Sequence, residues 1–287
     1  MEVSDCVDAA LTLALSLDRE AGKAGRGKTL LAIALAASEP GEPPPRVIAL
    51  VRPPEEADRS SPHLESDPAP RTPALLAAIE YARARNLAIE AQAVWSDNPA
   101  LDIITAGQAA QVGWILLGYH RTAAGSDAMG GVVRDVLARA MTLPINVGVF
   151  VQGTDQPIER IFAAVDAGPD GRAALALAVR IARSYKSKLR ALLVSSDVVR
   201  QPDDDLLEMV REAREKTGRR FHSDVLTQRS LNQLFRQTPG RLLIVGKKFA
   251  DEVGMPLDDV PGGGRCVIVV QGGEPGSPSP IQPSGES

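Results

Sequence analysis

Cysteine and aromatic residues are scarce in this chain. Its 287 residues include two cysteines, and Phe, Trp and Tyr together make up 3%. Cys6 and Cys266 stand near opposite ends, without a C-x-x-C pair or a Cys/His cluster, so the sequence suggests neither a disulfide framework nor a zinc site. Ala, Leu and Val carry the apolar content instead, which favours short strands covered by Ala-rich helices over an all-β sandwich.

Long apolar runs and an excess of positive charge are also missing. The longest apolar run, residues 29–37, is about half of the ~20 residues that a membrane-spanning helix needs. Residues 1–5 place no basic segment ahead of an apolar stretch, so we expect no secretory signal and a cytoplasmic location. The net charge of −4, with both signs interspersed, argues against nucleic acid as a partner.

Short apolar runs alternate with segments of helical periodicity along the chain. This alternation is typical of β-α-β units, which build a parallel sheet covered by helices. The predicted strands are residues 11–16, 46–51, 88–94, 113–118, 145–151, 160–165, 188–195, 219–226, 241–246 and 265–271. The predicted helices are residues 29–38, 73–85, 99–111, 131–140, 170–184, 203–217 and 230–237.

The second half of the sequence repeats the order of the first. Gly27-Lys28 stands at the entrance to the first helix of one half as Gly171-Arg172 does in the other, 144 residues later. The last strands end in Val-Gln-Gly at residues 151–153 and 270–272, only 119 residues apart, so the second copy is shorter. We expect that it lacks the helix before its last strand.

These repeats predict two domains, in agreement with the length of the chain. The first is predicted at residues 1–153 and the second at residues 154–272, packed side by side and paired through their fifth strands. The Gly/Pro/Ser-rich residues 273–287 are expected to form a disordered tail.

A glycine-containing stretch follows the fourth predicted strand. Gly118 is followed after two residues by Arg121 and, after nine more, by Gly131 and Val132. With five strands and four helices, this spacing resembles the universal stress protein family, whose nucleotide-binding members carry Gly-x2-Gly-x9-Gly-(Ser/Thr) and hold phosphates on backbone amides and a helix N-terminus. Arg121 and Val132 depart from that pattern. The resemblance implies an α/β fold of two tandem flavodoxin-like domains with parallel five-stranded sheets.

The same stretch is similar to the C-terminal cytosolic region of bacterial monovalent cation–proton antiporters, which is itself a tandem of such domains. The similarity lies in residues 118–121, GYHR, and 125–133, GSDAMGGVV. It implies a regulatory module, not an enzyme, at the inner face of the membrane. Its partner would be a Na⁺ or K⁺–proton antiporter domain on the same or an adjacent polypeptide, and a homodimer is also allowed. A stand-alone nucleotide-binding universal stress protein is the alternative.

The resemblance also implies which residues would bind a ligand. ATP or another adenine nucleotide would be held weakly by the glycine loop, and Asp166 stands where family members use an Asp near the ribose and base. An acid at such a strand-to-helix turn is also typical of a helix cap. The candidate binding residues are Gly118, His120, Arg121, Asp127, Gly130, Gly131, Val132 and Asp166.

Two of these residues allow further interpretations. The imidazole of His120, with an unperturbed pKa of ~6.5, could sense cytoplasmic pH. Asp127 lies in the same loop as Arg121 and is expected to order the loop by pairing with it.

Residues 22–29, GKAGRGKT, satisfy the phosphate-binding-loop pattern Gly-x4-Gly-Lys-(Ser/Thr). Residues 17–21 separate these glycines from the preceding strand, and no apolar strand ending in Asp-Glu follows in the same half to hold magnesium. The repeated helix entrance at Gly171 explains Gly27 and Lys28 without catalysis. An NTPase that uses Lys28 is therefore a third hypothesis, and no catalytic or metal-binding residue is predicted.

Overall fold

The computed structural model describes residues 11–15, 26–38, 41–51, 53, 72–119, 130–151, 158–194, 204–218, 221–226, 241–252 and 266–273. Its strands are β1 (Leu11–Leu15), β2 (Arg46–Val51), β3 (Glu90–Trp95), β4 (Trp114–Tyr119), β5 (Asn146–Val151), β6 (Arg160–Val165), β7 (Lys188–Val194), β8 (His222–Leu226), β9 (Arg241–Gly246) and β10 (Cys266–Gln271). Its helices are α1 (Arg26–Ala37), α2 (Pro73–Arg83), α3 (Pro99–Ala109), α4 (Gly130–Ala140), α5 (Pro169–Tyr185), α6 (Asp204–Thr217) and α7 (Lys247–Glu252).

The strands form one ten-stranded sheet in the order β3-β2-β1-β4-β5-β10-β9-β6-β7-β8. Every neighbouring pair is parallel except β5 and β10, which run antiparallel with Val151 opposite Val267. The order 3-2-1-4-5 of the first five strands therefore recurs in the last five, and the two sets meet at their fifth strands as expected. The predicted α/β fold is confirmed, while the domain bounds 1–153 and 154–272 stay a prediction.

Helices cover both faces of the sheet because successive strand residues point to opposite sides. In β4, Leu116 joins the core beneath α1, α2, α5 and α6, whereas Ile115 joins the core beneath α3 and α4. A third core cluster lies beneath α7 and includes Phe162 and Leu243. The first cluster contains residues of both halves, so the two sets of strands share one continuous layer of buried side chains.

Polar contacts also join the two halves. The Arg180 guanidinium in α5 donates to the Glu42 carboxylate at 2.9 Å and to the Ala37 carbonyl at 3.3 Å. Glu42 is almost buried, with 7% of its side chain exposed. On the other face, the Gln271 amide donates to the Leu137 carbonyl at 2.8 Å. Because these groups are shielded from water, their loss would leave buried polar atoms unsatisfied.

One expectation about the second half is wrong. The interval between β9 and β10, predicted to contain no helix, begins with the six-residue α7. This helix was missed because KKFADE is too short to show helical periodicity. The predicted helix at residues 230–237 and the predicted tail after residue 273 lie outside the described residues.

None of the helices in the described ranges is both long enough and apolar enough to cross a membrane.

Candidate functional site

The glycine stretch of the first half is described only at its two ends. Gly118 is buried near the end of β4, and Gly130 begins α4. A Cβ at Gly131 would meet no atom of the described residues within 4 Å, whereas Val132 packs against the core beneath α3 and α4. His120, Arg121 and Asp127 lie outside the described residues, so their predicted roles stay predictions.

Asp166 lies between β6 and α5, at the carboxyl edge of the sheet. Its Oδ1 accepts a hydrogen bond from the Gly168 amide at 2.7 Å, which fixes the turn that leads into α5. Its Oδ2 is buried and has no hydrogen-bond partner among the described residues. Burial raises the pKa of Asp166 above its ordinary value; the Gly168 amide opposes this shift, and the charge of Asp170 adds to it.

Asp170, in the first turn of α5, occupies backbone donors at the same edge. Its Oδ2 accepts from the Lys248 amide at 2.9 Å, and its Oδ1 accepts from the Gly272 amide at 2.7 Å. These amides belong to the start of α7 and to the end of β10. The carboxylate therefore ties three chain segments together and takes up N–H groups that an anionic ligand would otherwise use.

The segments around Asp166 approach so closely that two positions have no room for a side chain. A Cβ at Gly171 would lie 2.2 Å from the Asp166 carbonyl oxygen, and a Cβ at Gly246 would lie 3.0 Å from the Asp166 Oδ2. β6 and β9 are neighbours at which the strand order reverses, and in open α/β sheets ligands enter at such a point. Among the described residues of this half, the side chains of Asp166 and Asp170 lie at that point, each within 3.0 Å of where a Cβ of Gly246 would stand.

The described part of the site offers hydrogen-bond acceptors and negative charge, but no nucleophile paired with a base. Across the described residues, no group of three or more His, Cys, Asp or Glu side chains is placed to hold a metal ion. Lys28 lies in the first turn of α1, and residues 16–25, which contain the first half of the phosphate-binding-loop pattern, are outside the described ranges. The carboxylate oxygens at this edge can accept a hydrogen bond from a ligand hydroxyl group, while two backbone amides there are already bound by Asp170.

Sequence reasoning identified Asp166 but not Asp170. The available signal was an acidic residue in the first turn of a helix that opens with Pro169, since negative charge is favourable at a helix N-terminus. That signal predicts that Asp170 stabilises its own helix, but not that it binds the Lys248 and Gly272 amides. Residues 170, 248 and 272 meet because the strand order brings β6, β9 and β10 side by side.

No protein-family model matches this chain, and no curated protein matches it. Its fold is similar to that of solved structures. A universal stress protein from Archaeoglobus fulgidus DSM 4304 aligns with 16% identity and a TM-score of 0.54, over 93% of this chain and 97% of that one. A universal stress protein described as putative, from Pseudomonas aeruginosa UCBPP-PA14, aligns with 16% identity and a TM-score of 0.53, over 92% and 94%.

The cytoplasmic domain of a prokaryotic cation chloride cotransporter aligns with 14% identity and a TM-score of 0.57, over 91% of this chain and 95% of that domain. At these identities the likeness concerns the fold. The chain therefore has an α/β fold of the universal stress protein type, with a mostly parallel sheet between layers of helices.

Proposed function

We propose that this chain is a cytoplasmic regulatory module of a monovalent cation–proton antiporter, and that it acts by binding and not by catalysis. The observation that carries the proposal is the Asp170 carboxylate, which holds the Lys248 and Gly272 amides at 2.9 and 2.7 Å. Because both amides are already bound by Asp170, they are not free to hold a phosphate, which favours a regulatory role over nucleotide turnover.

The first half supports the same proposal in a different way. Nucleotide-binding relatives place a Ser or Thr hydroxyl where this chain has Val132, which packs against the core and has no hydroxyl to donate. Arg121 replaces a glycine of the same pattern and would bring a side chain to the place where a phosphate approaches the backbone. Nucleotide binding in this half would therefore be weak or lost.

The proposed partner is a membrane-embedded Na⁺ or K⁺–proton antiporter domain on the same or an adjacent polypeptide. The antiporter-like residues 118–121 and 125–133 support this choice. A cytoplasmic transporter domain with a similar fold over 91% of this chain supports a role at the inner face of a membrane. The module would transmit a ligand or pH state to that partner by shifting its equilibrium between conformations.

Transport by everted membrane vesicles tests this proposal. Vesicles would contain the multi-helix membrane protein encoded in frame with, or next to, this chain, with the chain present or deleted. Cation-driven proton release, followed with a pH-sensitive dye, should shift in cation concentration or pH dependence when the chain is deleted. Identical profiles at equal amounts of membrane protein would contradict a regulatory role.

A stand-alone nucleotide-binding protein is the second candidate function. The similarity in fold to two universal stress proteins, over 93% and 92% of this chain, favours it. Calorimetry with ATP, ADP and AMP on wild type and Arg121→Gly separates the cases. We expect wild type to bind ATP no tighter than in the high micromolar range. Tight binding by wild type that is lost in Arg121→Gly would instead identify Arg121 as a ligand of the nucleotide.

A further inference from the structure

Basic residues gather at the amino edge of the last strands, opposite the edge that carries Asp166. Arg160 begins β6, Lys188 begins β7 and Arg241 begins β9. The register places Arg160 beside both Lys188 and Arg241 in neighbouring strands. Because register partners in a parallel sheet project to the same face about 4.8 Å apart, three cationic side chains stand in a row.

A cavity of about 670 Å³ lies at this edge. Its described lining combines apolar side chains, among them Leu189 and Phe221, with Arg160, Lys186, Lys188, Arg190 and Arg241, and it contains no Asp or Glu. The nearby carboxylate of Asp224 lies 3.2 Å from Arg190. Within the described lining five cationic side chains therefore stand together, and of these Arg190 is paired with Asp224. The volume of the cavity lies in the range of pockets that bind small molecules.

Arg241 is the least compensated of these cations. Its Nε is buried and has no hydrogen-bond partner among the described residues, and its guanidinium lies 4.9 Å from the centre of the Phe162 ring. Burial lowers the pKa of Arg241, and the charges of Arg160 and Arg190 lower it further. A buried donor without an acceptor is costly, and an anion in the cavity would supply the missing acceptor once the Arg241 guanidinium turns toward it.

The same edge of the first half shows that the fold does not require this cluster. There Arg46, at the start of β2, is neutralised by Glu90 at 2.9 Å, and Trp114 begins the strand that corresponds to β9. Strand order and length are alike in the two halves. Among the described strands, a row of three basic residues side by side at this edge therefore occurs in the second half alone.

We propose that this cavity binds an anion with several linked phosphate groups, either a free oligophosphate or the headgroup of a phosphorylated lipid. The guanidinium group of arginine donates two hydrogen bonds to a phosphate. Several linked phosphates can contact several cations at once, which a single phosphate cannot do. The site is separate from the nucleotide edge, since a strand of five or six residues spans about 17 to 20 Å. The inference goes beyond the proposed antiporter role and does not depend on it.

Calorimetry with sodium tripolyphosphate tests the proposal on the full chain. Wild type should bind, and Arg160→Gln should weaken binding about tenfold or more, because one charge-assisted hydrogen bond contributes about 1.5 to 3 kcal/mol. Lys186→Gly is a second variant: Lys186 has a left-handed φ of 52°, which glycine adopts more easily, so lost binding would not reflect misfolding. Arg46→Gln, at the same edge of the first half, is the matched control and should bind like wild type.

The two sources of phosphate are separated by a sedimentation assay with phosphatidylcholine vesicles that contain phosphatidylinositol bisphosphate. If the chain binds tripolyphosphate but does not sediment with the vesicles, the ligand is a free oligophosphate. If wild type sediments with the vesicles and Arg160→Gln does not, the ligand is the lipid headgroup. Failure of wild type to bind either probe would overturn the proposal. So would equal binding by wild type, Arg160→Gln and Lys186→Gly.

Discussion

The close approach of α5 to β6 makes Gly171→Ala a sensitive test of how the second half is assembled. The added Cβ would lie 2.2 Å from the Asp166 carbonyl oxygen and 2.6 Å from the Asp166 amide nitrogen. Both atoms are backbone, so no side-chain rotation relieves the clash and the helix must move. Overpacking of this kind lowers the free energy of unfolding by about 3 kcal/mol. The better helix propensity of Ala offsets up to about 1 kcal/mol of this loss. The expected net loss is about 2 kcal/mol, or roughly 4 to 8 °C in Tm.

Thermal unfolding followed by circular dichroism measures this loss, and the chain provides a matched control. Gly131→Ala makes the same chemical change near the start of α4, where the new Cβ would meet no atom within 4 Å in the part of the chain that the structure describes. It should leave Tm unchanged or raise it slightly, because the substitution adds helix propensity without a clash. Equal Tm values for the two variants would refute the inferred contact between Gly171 and Asp166.

Three further changes have expected outcomes. Burial raises the pKa of Asp166, so folding favours the protonated form and the wild type loses stability as pH rises through the folded pKa. The free energy of unfolding of Asp166→Asn, measured with urea, should therefore rise relative to that of wild type between pH 4 and pH 7. A relative fall over this range would contradict the raised pKa. Glu42→Gln, which breaks the ion pair with Arg180, should lower the free energy of unfolding by about 1 to 3 kcal/mol, and an unchanged urea midpoint would show that this contact does not hold the halves together. Arg241→Met should raise Tm of the ligand-free protein, since it removes a buried donor without a partner; a lower Tm would show that the arginine stabilises the fold.

The strands could be predicted from the sequence because buried strands of a parallel sheet read as short continuous apolar runs. The predicted strand 241–246 agrees with β9, and the predicted strand 46–51 agrees with β2. Agreement was poorer where polar residues open a strand. β3 begins at Glu90, two residues after the predicted start, because its outer face is exposed and its apolar pattern is weak.

The sites could be predicted only in part, because their contacts join residues that are far apart in sequence. The resemblance to universal stress proteins singled out Asp166, whose role as a ligand stays a prediction, but the role of Asp170 depends on amides 78 and 102 residues away. The sequence places a basic residue at the start of three strands, at Arg160, Lys188 and Arg241. The significance of this row follows only from the strand order, which places β9 and β7 on either side of β6.

The central claim is that the chain acts by binding and regulation, without turning nucleotide over. ATP hydrolysis in the presence of magnesium, measured on purified wild type and on Lys28→Ala, tests it most directly. We predict that neither protein releases phosphate above background, because the lysine pattern has no apolar strand ending in Asp-Glu to hold magnesium. Release of phosphate by wild type that is lost in Lys28→Ala would contradict the claim and identify the chain as an NTPase.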